Sequence, residues 1–322
     1  MTPARDPRRR GDAKPWVPAG DPTGGGPAYL PANRRCAAQR KLLPWHASAG
    51  ILSAGRSEVN ETTVPDVLLK ITAQRRKRIS EARETPARPR REAITQSAAN
   101  NPFVAALEAQ RGRAVIAEIK MGSPRLGELT GRVEPLRLAR AYAEHGAAAL
   151  SVVVEPDFFY GSYELLGACH EASGLPAIAK DFIVDPVQLR WARRAGASAV
   201  LLIAALYGRA ELLAYAQQAR QLGLVPLVEI HDLADLMKLD GALWELVGVN
   251  NRDLRTFEVE LGTSMALLPS LPSGALKVAE SGIAGAADLD LLRGAGFDAF
   301  LIGEALVTAG DPVAKLRELC GS

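Results

Sequence analysis

Cysteine is scarce in this chain of 322 residues, which contains only three. Cys36, Cys169 and Cys320 lie far apart, and none belongs to a CxxC pair or to a Cys/His cluster. An odd and dispersed set of this kind indicates neither a disulfide framework nor a zinc site. We therefore expect a cytoplasmic protein that binds no metal ion.

Long apolar segments and glycine-rich nucleotide loops are also missing. The longest apolar runs, such as 198-SAVLLIAAL-206, are far shorter than the roughly 20 residues that cross a bilayer. No GxGxxG motif follows the first predicted strand, so a dinucleotide site is unsupported. We expect no contact with a membrane and no dinucleotide cofactor.

Residues 1–62 lack any hydrophobic periodicity. They are rich in Pro, Gly and Arg, as in 18-PAGDPTGGGPA-28, and therefore cannot bury enough apolar surface to offset their ordering entropy. We predict a disordered basic tail. Its composition also resembles a transit peptide or a nucleic-acid-binding arm, but Asp6, Asp12 and the glycine run are poor material for an amphipathic helix. Since the positive charge is confined to this tail, we expect no nucleic-acid partner.

The folded domain is predicted to span residues 63–322 and to begin with two helices. Apolar residues recur at helical spacing in 65–84, and a second short helix is predicted at 101–112. The first helix carries the basic run 74-QRRKR-78, which we expect to be a solvated face.

From residue 114 onwards, short apolar runs alternate with amphipathic segments. The amphipathic segments include 185–196, 209–223, 287–296 and 311–320. Runs that are apolar almost throughout indicate strands covered on both faces, as in a parallel sheet. The eight predicted strands cover 114–120, 148–155, 176–182, 197–204, 224–230, 245–251, 275–282 and 297–306. Eight strand–helix units at this spacing predict an α/β fold, a single (β/α)₈ TIM barrel.

Polar side chains end almost every predicted strand. In such barrels the carboxyl ends of the strands build the active site, so these side chains are expected to converge on one mouth. Each has a structural alternative: Glu118 with Lys120, or Lys180 with Asp181, forms an ion pair of the barrel, and Asn250 serves a turn. Together they favour a site, because burying so many charges is costly without a charged ligand. The strand-end residues are Glu118, Lys120, Glu155, Lys180, Glu229, Asn250, Asn251, Arg252, Glu280, Ser281, Gly303 and Glu304.

Two glycines lie at the ends of the seventh and eighth predicted strands. Gly282 and Gly303 fall where barrels of this type bind phosphate. Glycine lets backbone N–H groups approach an anion, and a following helix adds a favourable dipole. Either glycine alone is adequately explained by a turn, but the pair favours a phosphate site.

These strand-end motifs closely resemble those of indole-3-glycerol phosphate synthases. The resemblance runs in the family's order from about Val67 to Leu319 and leaves residues 1–60 uncovered. It rests on 118-EIKMGSP-124, 154-VEPDFFYGS-162, 179-AKDFIVDPVQ-188, 228-VEIHD-232, 248-GVNNRDLRTFEV-259 and 279-AESGI-283.

The resemblance implies a ring closure. The family converts 1-(2-carboxyphenylamino)-1-deoxyribulose 5-phosphate to indole-3-glycerol phosphate with loss of CO₂ and water, without a metal or cofactor. Lys180 is our first choice for the general acid, and we expect desolvation and a neighbouring cation to lower its pKa toward neutrality. A second acid and a base are also needed. The sequence does not divide these roles among Lys120, Glu118 and Glu229.

The resemblance also implies the binding residues for a phosphorylated small-molecule substrate. Arg252 would face the substrate's carboxylate, and Asn250, Glu280 and Ser281 would orient its anilino and ribulosyl parts. Phe159, Phe182 and Leu201 would form the apolar wall around the aromatic ring. The positions for phosphate are Ser123, Gly282, Gly303 and Glu304. We expect the protein to act as a monomer or weak homodimer.

The chain departs from the family in the loop after the first strand. Met121 stands where an arginine is usual, and Arg125 and Leu126 replace small and basic residues, which puts loop closure and affinity in question. One alternative is phosphoribosylanthranilate isomerase, but its Cys/Asp pair has no counterpart at these strand ends. Another is a non-catalytic phosphate-binding barrel that serves in an assembly.

Overall fold

The computed structural model describes residues 65–83 and 101–321. The predicted disordered tail, residues 1–62, lies outside the described residues, as does the segment 84–100. In the described ranges, none of the helices combines the length and apolarity that a membrane span requires.

Eight parallel strands close into a barrel in which each strand pairs with its neighbours in chain order. This confirms the predicted TIM barrel. The strands are β1 (Ala114–Ile119), β2 (Ala149–Val153), β3 (Ala177–Lys180), β4 (Ala199–Ile203), β5 (Val225–Ile230), β6 (Leu246–Asn250), β7 (Leu276–Glu280) and β8 (Ala299–Ile302). A small antiparallel hairpin, Gly122–Ser123 with Gly127–Glu128, follows β1.

Helices surround the barrel and cover both of its ends. The helices are α1 (Asp66–Arg83), α2 (Pro102–Ala109), α3 (Pro135–Glu144), α4 (Tyr163–Ser173), α5 (Pro186–Arg194), α6 (Arg209–Gln221), α7 (Leu233–Met237), α8 (Gly262–Leu267), α9 (Ala286–Ala295), α10 (Glu304–Val307) and α11 (Pro312–Cys320). Helices α1 and α2 occupy the two positions predicted for the N-terminal helices.

The strands are buried on both faces because two apolar clusters sandwich them. One cluster fills the barrel interior and includes Ile116, Leu227 and Leu301, and the other lies between the strands and the outer helices. Helix α2 closes the amino-terminal end of the interior with Phe103 and Leu107, both fully buried. Burial of this kind contributes about 25 cal/mol per Å² of apolar surface, which makes the barrel a rigid base for its loops.

The last predicted strand is too long. Strand β8 ends at Ile302, and the residues that follow Gly303 form the short helix α10 instead of continuing the strand to residue 306. The apolar run 297–306 conceals this change because α10 buries Leu306 on its inner side. The helix start therefore lies directly at the barrel mouth.

Candidate active site

One cavity of about 580 Å³ opens at the carboxyl ends of the barrel strands. Every residue that the family resemblance places at the site, except Glu280, lines it, and Glu280 is bonded to the lining residue Lys180. The lining residues of the predicted set are Glu118, Lys120, Ser123, Phe159, Lys180, Phe182, Leu201, Glu229, Asn250, Arg252, Ser281, Gly282, Gly303 and Glu304.

Lys180 lies at the centre of a buried cluster of carboxylates. Its Nζ donates to Oε2 of Glu280 at 2.9 Å and lies 3.8 Å from both Oε2 of Glu118 and Oε2 of Glu229. Lys120 completes the cluster, with its Nζ 3.1 Å from Oε1 of Glu118. Three carboxylates therefore face two ammonium groups, which leaves the cluster short of positive charge.

The surrounding glutamates keep Lys180 protonated. Burial alone would lower the pKa of Lys180. The combined effect of Glu280, Glu118 and Glu229 is larger and opposite, so the pKa lies above its usual value. The expectation of a pKa lowered toward neutrality is therefore wrong for this arrangement. It assumed that desolvation and a neighbouring cation determine the pKa, whereas the neighbouring carboxylates outweigh desolvation here.

The carboxylates of the cluster differ in their affinity for protons. Burial and the nearby Glu229 raise the pKa of Glu280 to about 7, despite the opposing effect of Lys180. Burial also raises the pKa of Glu118, but Lys120 and Lys180 lower it by a larger amount. The pKa of Glu118 therefore lies below its usual value, and Glu118 is the more acidic group. Glu280 thus binds a proton more tightly than Glu118 does.

An apolar wall forms another part of the cavity lining. The rings of Phe159 and Phe182 lie 5.9 Å apart in a tilted arrangement, and Leu201 lies buried in β4. Helix α1 adds Leu68 and Ile71 to this wall. A planar aromatic group fits between such side chains because ring faces and methyl groups pack closely.

The opposite end of the cavity is built from the turns after β7 and β8. Gly282 has a φ of +81°, and Ser281 holds a left-handed φ of 64°, which a serine adopts only at a cost. Gly303 lies so close to β1 that an added Cβ would lie 2.9 Å from that of Glu118. Side chains are thereby excluded at two points where backbone borders the cavity.

Glu304 bridges two arginines across this end of the cavity. Its Oε2 accepts from Nη2 of Arg252 at 2.9 Å, and its other oxygen pairs with Arg125 from the loop after β1. Arg252, predicted to face a substrate carboxylate, is therefore held by a carboxylate of the protein itself. Arg125, one of the residues that departs from the family pattern, reaches across the mouth.

A second buried network fixes the end of β3. Asp181 accepts hydrogen bonds from Arg75 of α1, from the hydroxyl of Tyr163 at 2.7 Å and from Nε2 of Gln188 at 2.8 Å. The expectation that the basic run of α1 is solvated is therefore wrong for Arg75, which is only 4% exposed. The alternative of a Lys180–Asp181 pair is also wrong, because consecutive side chains point to opposite faces of a strand.

Two of the strand-end residues serve the loops instead of the cavity. Glu155 accepts from the backbone N–H groups of Asp157, Phe158 and Phe159 and so fixes the loop that carries Phe159. Asn251 donates to the carbonyl oxygen atoms of Glu280 and Ser281, which ties the turns after β6 and β7 together.

Some residues at the site escaped sequence reasoning. Those of α1 were predictable as the apolar face of a helix, but nothing in the sequence indicated which end of the barrel that face covers. His231, two positions after Glu229 in 228-VEIHD-232, was not selected. Its signal is strand alternation, since residues two apart on a strand share a face. Among the described residues, no group of three His, Cys, Asp or Glu side chains is arranged to hold a metal ion.

Solved structures of other proteins share this fold at low sequence identity. The 3-hexulose-6-phosphate synthase of Salmonella typhimurium matches with a TM-score of 0.53 and 14% identity, covering 65% of this chain and 97% of that one. A tryptophan synthase α-subunit from Pyrococcus furiosus matches with a TM-score of 0.51 and 16% identity, covering 66% of this chain and 99% of that one. At such identities the likeness concerns the fold alone.

The sequence comparisons identify the family. Indole-3-glycerol phosphate synthase from Azoarcus sp. (strain BH72) is 45% identical over 265 residues, which cover 80% of this chain and 99% of the relative. The enzyme of that name from Polaromonas sp. (strain JS666) is 42% identical over 260 residues, 80% of this chain and 98% of the relative. The family model described as indole-3-glycerol phosphate synthase matches residues 68–319. The chain therefore belongs to the indole-3-glycerol phosphate synthase family.

Proposed function

We propose that this cavity closes the indole ring of 1-(2-carboxyphenylamino)-1-deoxyribulose 5-phosphate, with release of CO₂ and water. Membership of the family makes the chain a carbon–carbon lyase of tryptophan biosynthesis. The observation that carries the assignment of residues is Lys180, held among three glutamates opposite an aromatic wall. A protonated amine beside a slot for a planar ring is the arrangement that this chemistry requires.

Lys180 is the general acid of the first step. The ring carbon that bears the carboxylate attacks the substrate's ketone, and the ketone oxygen takes a proton as the new carbon–carbon bond forms. Glu280, Glu118 and Glu229 keep Lys180 loaded with that proton. The developing alkoxide is more basic than an amine, so transfer from Lys180 is favourable even with a raised pKa. Loss of CO₂ then returns the electron pair to the ring.

The remaining steps need one more acid and one base. Lys120, paired with Glu118, is the second acid and delivers the proton with which the hydroxyl leaves as water. Glu229 is the base that removes a proton from the substrate carbon between the nitrogen and the former ketone carbon. Its place in the cavity lining, 3.8 Å from Lys180, supports this division.

The same cavity holds both of the substrate's anionic groups. Arg252 binds the carboxylate, and the phosphate lies against Ser123, Gly282, Gly303 and the backbone at Glu304. Asn250, whose Oδ1 accepts from the N–H of Arg252 at 3.0 Å, orients that arginine. Ser281 and Glu280 position the ribulosyl part, and Phe159, Phe182 and Leu201 hold the aromatic ring.

The test follows indole fluorescence after the substrate is mixed with the purified protein. Wild type should give a signal that EDTA does not change, and Lys180→Ala should reduce kcat by at least a hundredfold. Lys315→Ala, on α11 at the outside of the barrel, is the matched control and should behave as wild type. A folded wild-type protein that binds the substrate but never produces indole would refute the proposal and favour a non-catalytic phosphate-binding barrel.

We further propose that the protein acts in the cytoplasm as a monomer or weak homodimer and that the tail predicted from the sequence, residues 1–62, is not needed for activity. Removal of that tail should leave kcat and KM unchanged. Sedimentation velocity across a range of concentrations tests the oligomeric state. A stable higher oligomer, or activity that depends on the tail, would contradict this part of the proposal.

A further inference from the structure

His231 follows β5 and lies between two carboxylates. Its Nε2 is 3.4 Å from Oε1 of Glu229, and its Nδ1 is 3.5 Å from Oδ2 of Asp235. Both ring nitrogens are buried, and neither forms a hydrogen bond to the part of the chain that the structure describes. Buried polar atoms are ordinarily satisfied, so an imidazole aimed at two carboxylates and bonded to neither requires an explanation.

The ring lies in the wall between two cavities. Glu229 lines the cavity at the barrel mouth, whereas His231 lines a second cavity of about 470 Å³ beside it. Asp235 and Lys238 also line the second cavity, and Nζ of Lys238 donates to Oδ1 of Asp235 at 2.9 Å. A continuous series of titratable groups therefore runs from Lys180 through Glu229, His231 and Asp235 to the second cavity.

The proposed reaction consumes protons that this series is placed to supply. One proton goes to the ketone oxygen and one leaves with the hydroxyl as water, while only one is recovered from carbon. The substrate's carboxylate departs as neutral CO₂, so each turnover takes up one net proton. Substrate in the first cavity covers Lys180 and Lys120, which closes the direct approach from solvent on that side.

We propose that His231 is a positioning residue that relays protons between Glu229 and the second cavity, an inference that rests on the proposed function. A proton enters from the second cavity at Asp235, passes to Nδ1 of the ring, and leaves from Nε2 to Glu229. Glu229 passes this proton, and the one that it took from carbon, to Lys180, 3.8 Å away. Glu118, which contacts both lysines, passes one of the two on to Lys120, so both acids are restored for the next turnover. His231 touches no substrate in this scheme.

The charges around the ring favour a protonated imidazole as the resting member of the relay. Burial lowers the pKa of His231, but Asp235, Glu229 and Glu280 raise it by a larger amount. The pKa of His231 therefore lies above its usual value. An imidazolium here also offsets the excess of carboxylates around Lys180. The charged groups that line the second cavity beside the ring are Asp232, Asp235, Lys238, Arg252, Asp253, Arg255, Glu258 and Glu260.

The experiment measures kcat of the full chain against the concentration of imidazole buffer at fixed pH and ionic strength. Wild type should show no dependence on buffer, because the relay supplies protons fast enough. His231→Gln should lower kcat by roughly tenfold at low buffer, with KM little changed, and added imidazole should restore much of the loss. The solvent deuterium isotope effect on kcat should rise in the same variant.

Two further variants separate a relay from a structural role. Asp235→Asn keeps a side-chain acceptor for the backbone N–H of His231 but interrupts the series of titratable groups. It should therefore show the same buffer dependence as His231→Gln. It also carries the test if His231→Gln does not fold. His170→Gln, on α4, is the matched control and should match wild type. A wild-type kcat in His231→Gln, or a loss that buffer never restores, would overturn the relay. Absence of turnover in wild type would instead refute the proposed function.

Discussion

Replacement of Glu280 by glutamine should stabilise the protein at alkaline pH and impair its activity. Glu280 is 1% exposed, and burial together with Glu229 raises its pKa to about 7 from a usual value of 4.5. Glutamine has the shape of the protonated acid but never ionises. The difference of about 2.5 pKa units between the unfolded and folded states corresponds to about 3 kcal/mol, at 1.36 kcal/mol per unit.

The sign follows from which state binds the proton more tightly. Between pH 4.5 and pH 7 the unfolded chain releases the Glu280 proton while the folded protein retains it, so wild-type stability falls as pH rises through this window. Above the window the full cost of ionising a buried carboxyl is present. Glu280→Gln lacks this term, and its advantage over wild type should grow by about 2 to 3 kcal/mol between pH 5 and pH 8.

Urea denaturation of both proteins at pH 5 and pH 8 measures this difference directly. Glu171→Gln, which changes an exposed glutamate of α4, is the matched control and should show no change in the difference with pH. The activity of Glu280→Gln should fall because Lys180 loses its shortest charged contact, 2.9 Å long. A stability difference that is the same at both pH values would refute the assignment of the proton to Glu280.

Two substitutions test the opposite end of the cavity. Gly303→Ala should lower kcat at least tenfold and cost about 1–3 kcal/mol of stability, because the added Cβ would clash with Glu118. Fluorescence kinetics measure the loss of activity, and urea denaturation measures the loss of stability. A fully active variant would contradict the close approach of Gly303 to Glu118. Glu304→Gln should free Arg125 and Arg252 and lower the inhibition constant for inorganic phosphate roughly threefold at low salt, less at high salt. Unchanged or weaker phosphate inhibition would show that Glu304 does not compete for these arginines.

Much of the fold and most of the site positions were predictable from the sequence. Apolar runs of strand length predict the barrel because each β strand is buried on both faces. Charged residues at the ends of those runs predict the lining of the mouth, since parallel strands bring their carboxyl ends together. The error at the end of β8 has a local cause. Ile302 and Leu306 are both buried, so hydrophobicity alone does not separate the strand from α10.

Contacts between distant segments were not predictable in the same way. The four arginine and lysine residues at 75–78 read as one charged run, yet only Arg75 is buried, because it alone faces Asp181, 106 residues away. Helical spacing places Arg75 on the apolar face of α1, four residues from both Ile71 and Ile79, but no local pattern indicates that Asp181 is its partner. Arg125 and Glu304 pair across the mouth over a longer separation of 179 residues, from the loop after β1 to α10. Such pairs depend on how the loops of the finished barrel meet.

The electrostatics of Lys180 lie between these two cases. Glu118, Lys180, Glu229 and Glu280 end β1, β3, β5 and β7, which are the odd-numbered strands. In a barrel of this kind, alternate strands contribute the side chains of one interior layer, so the four belong to a single layer of three acids and one base. That layer, together with the buried position, determines the raised pKa of Lys180 and the proton on Glu280. The parity of the strands was readable from the sequence. Counting the charges of each layer would therefore have corrected the expected pKa before any coordinates were known.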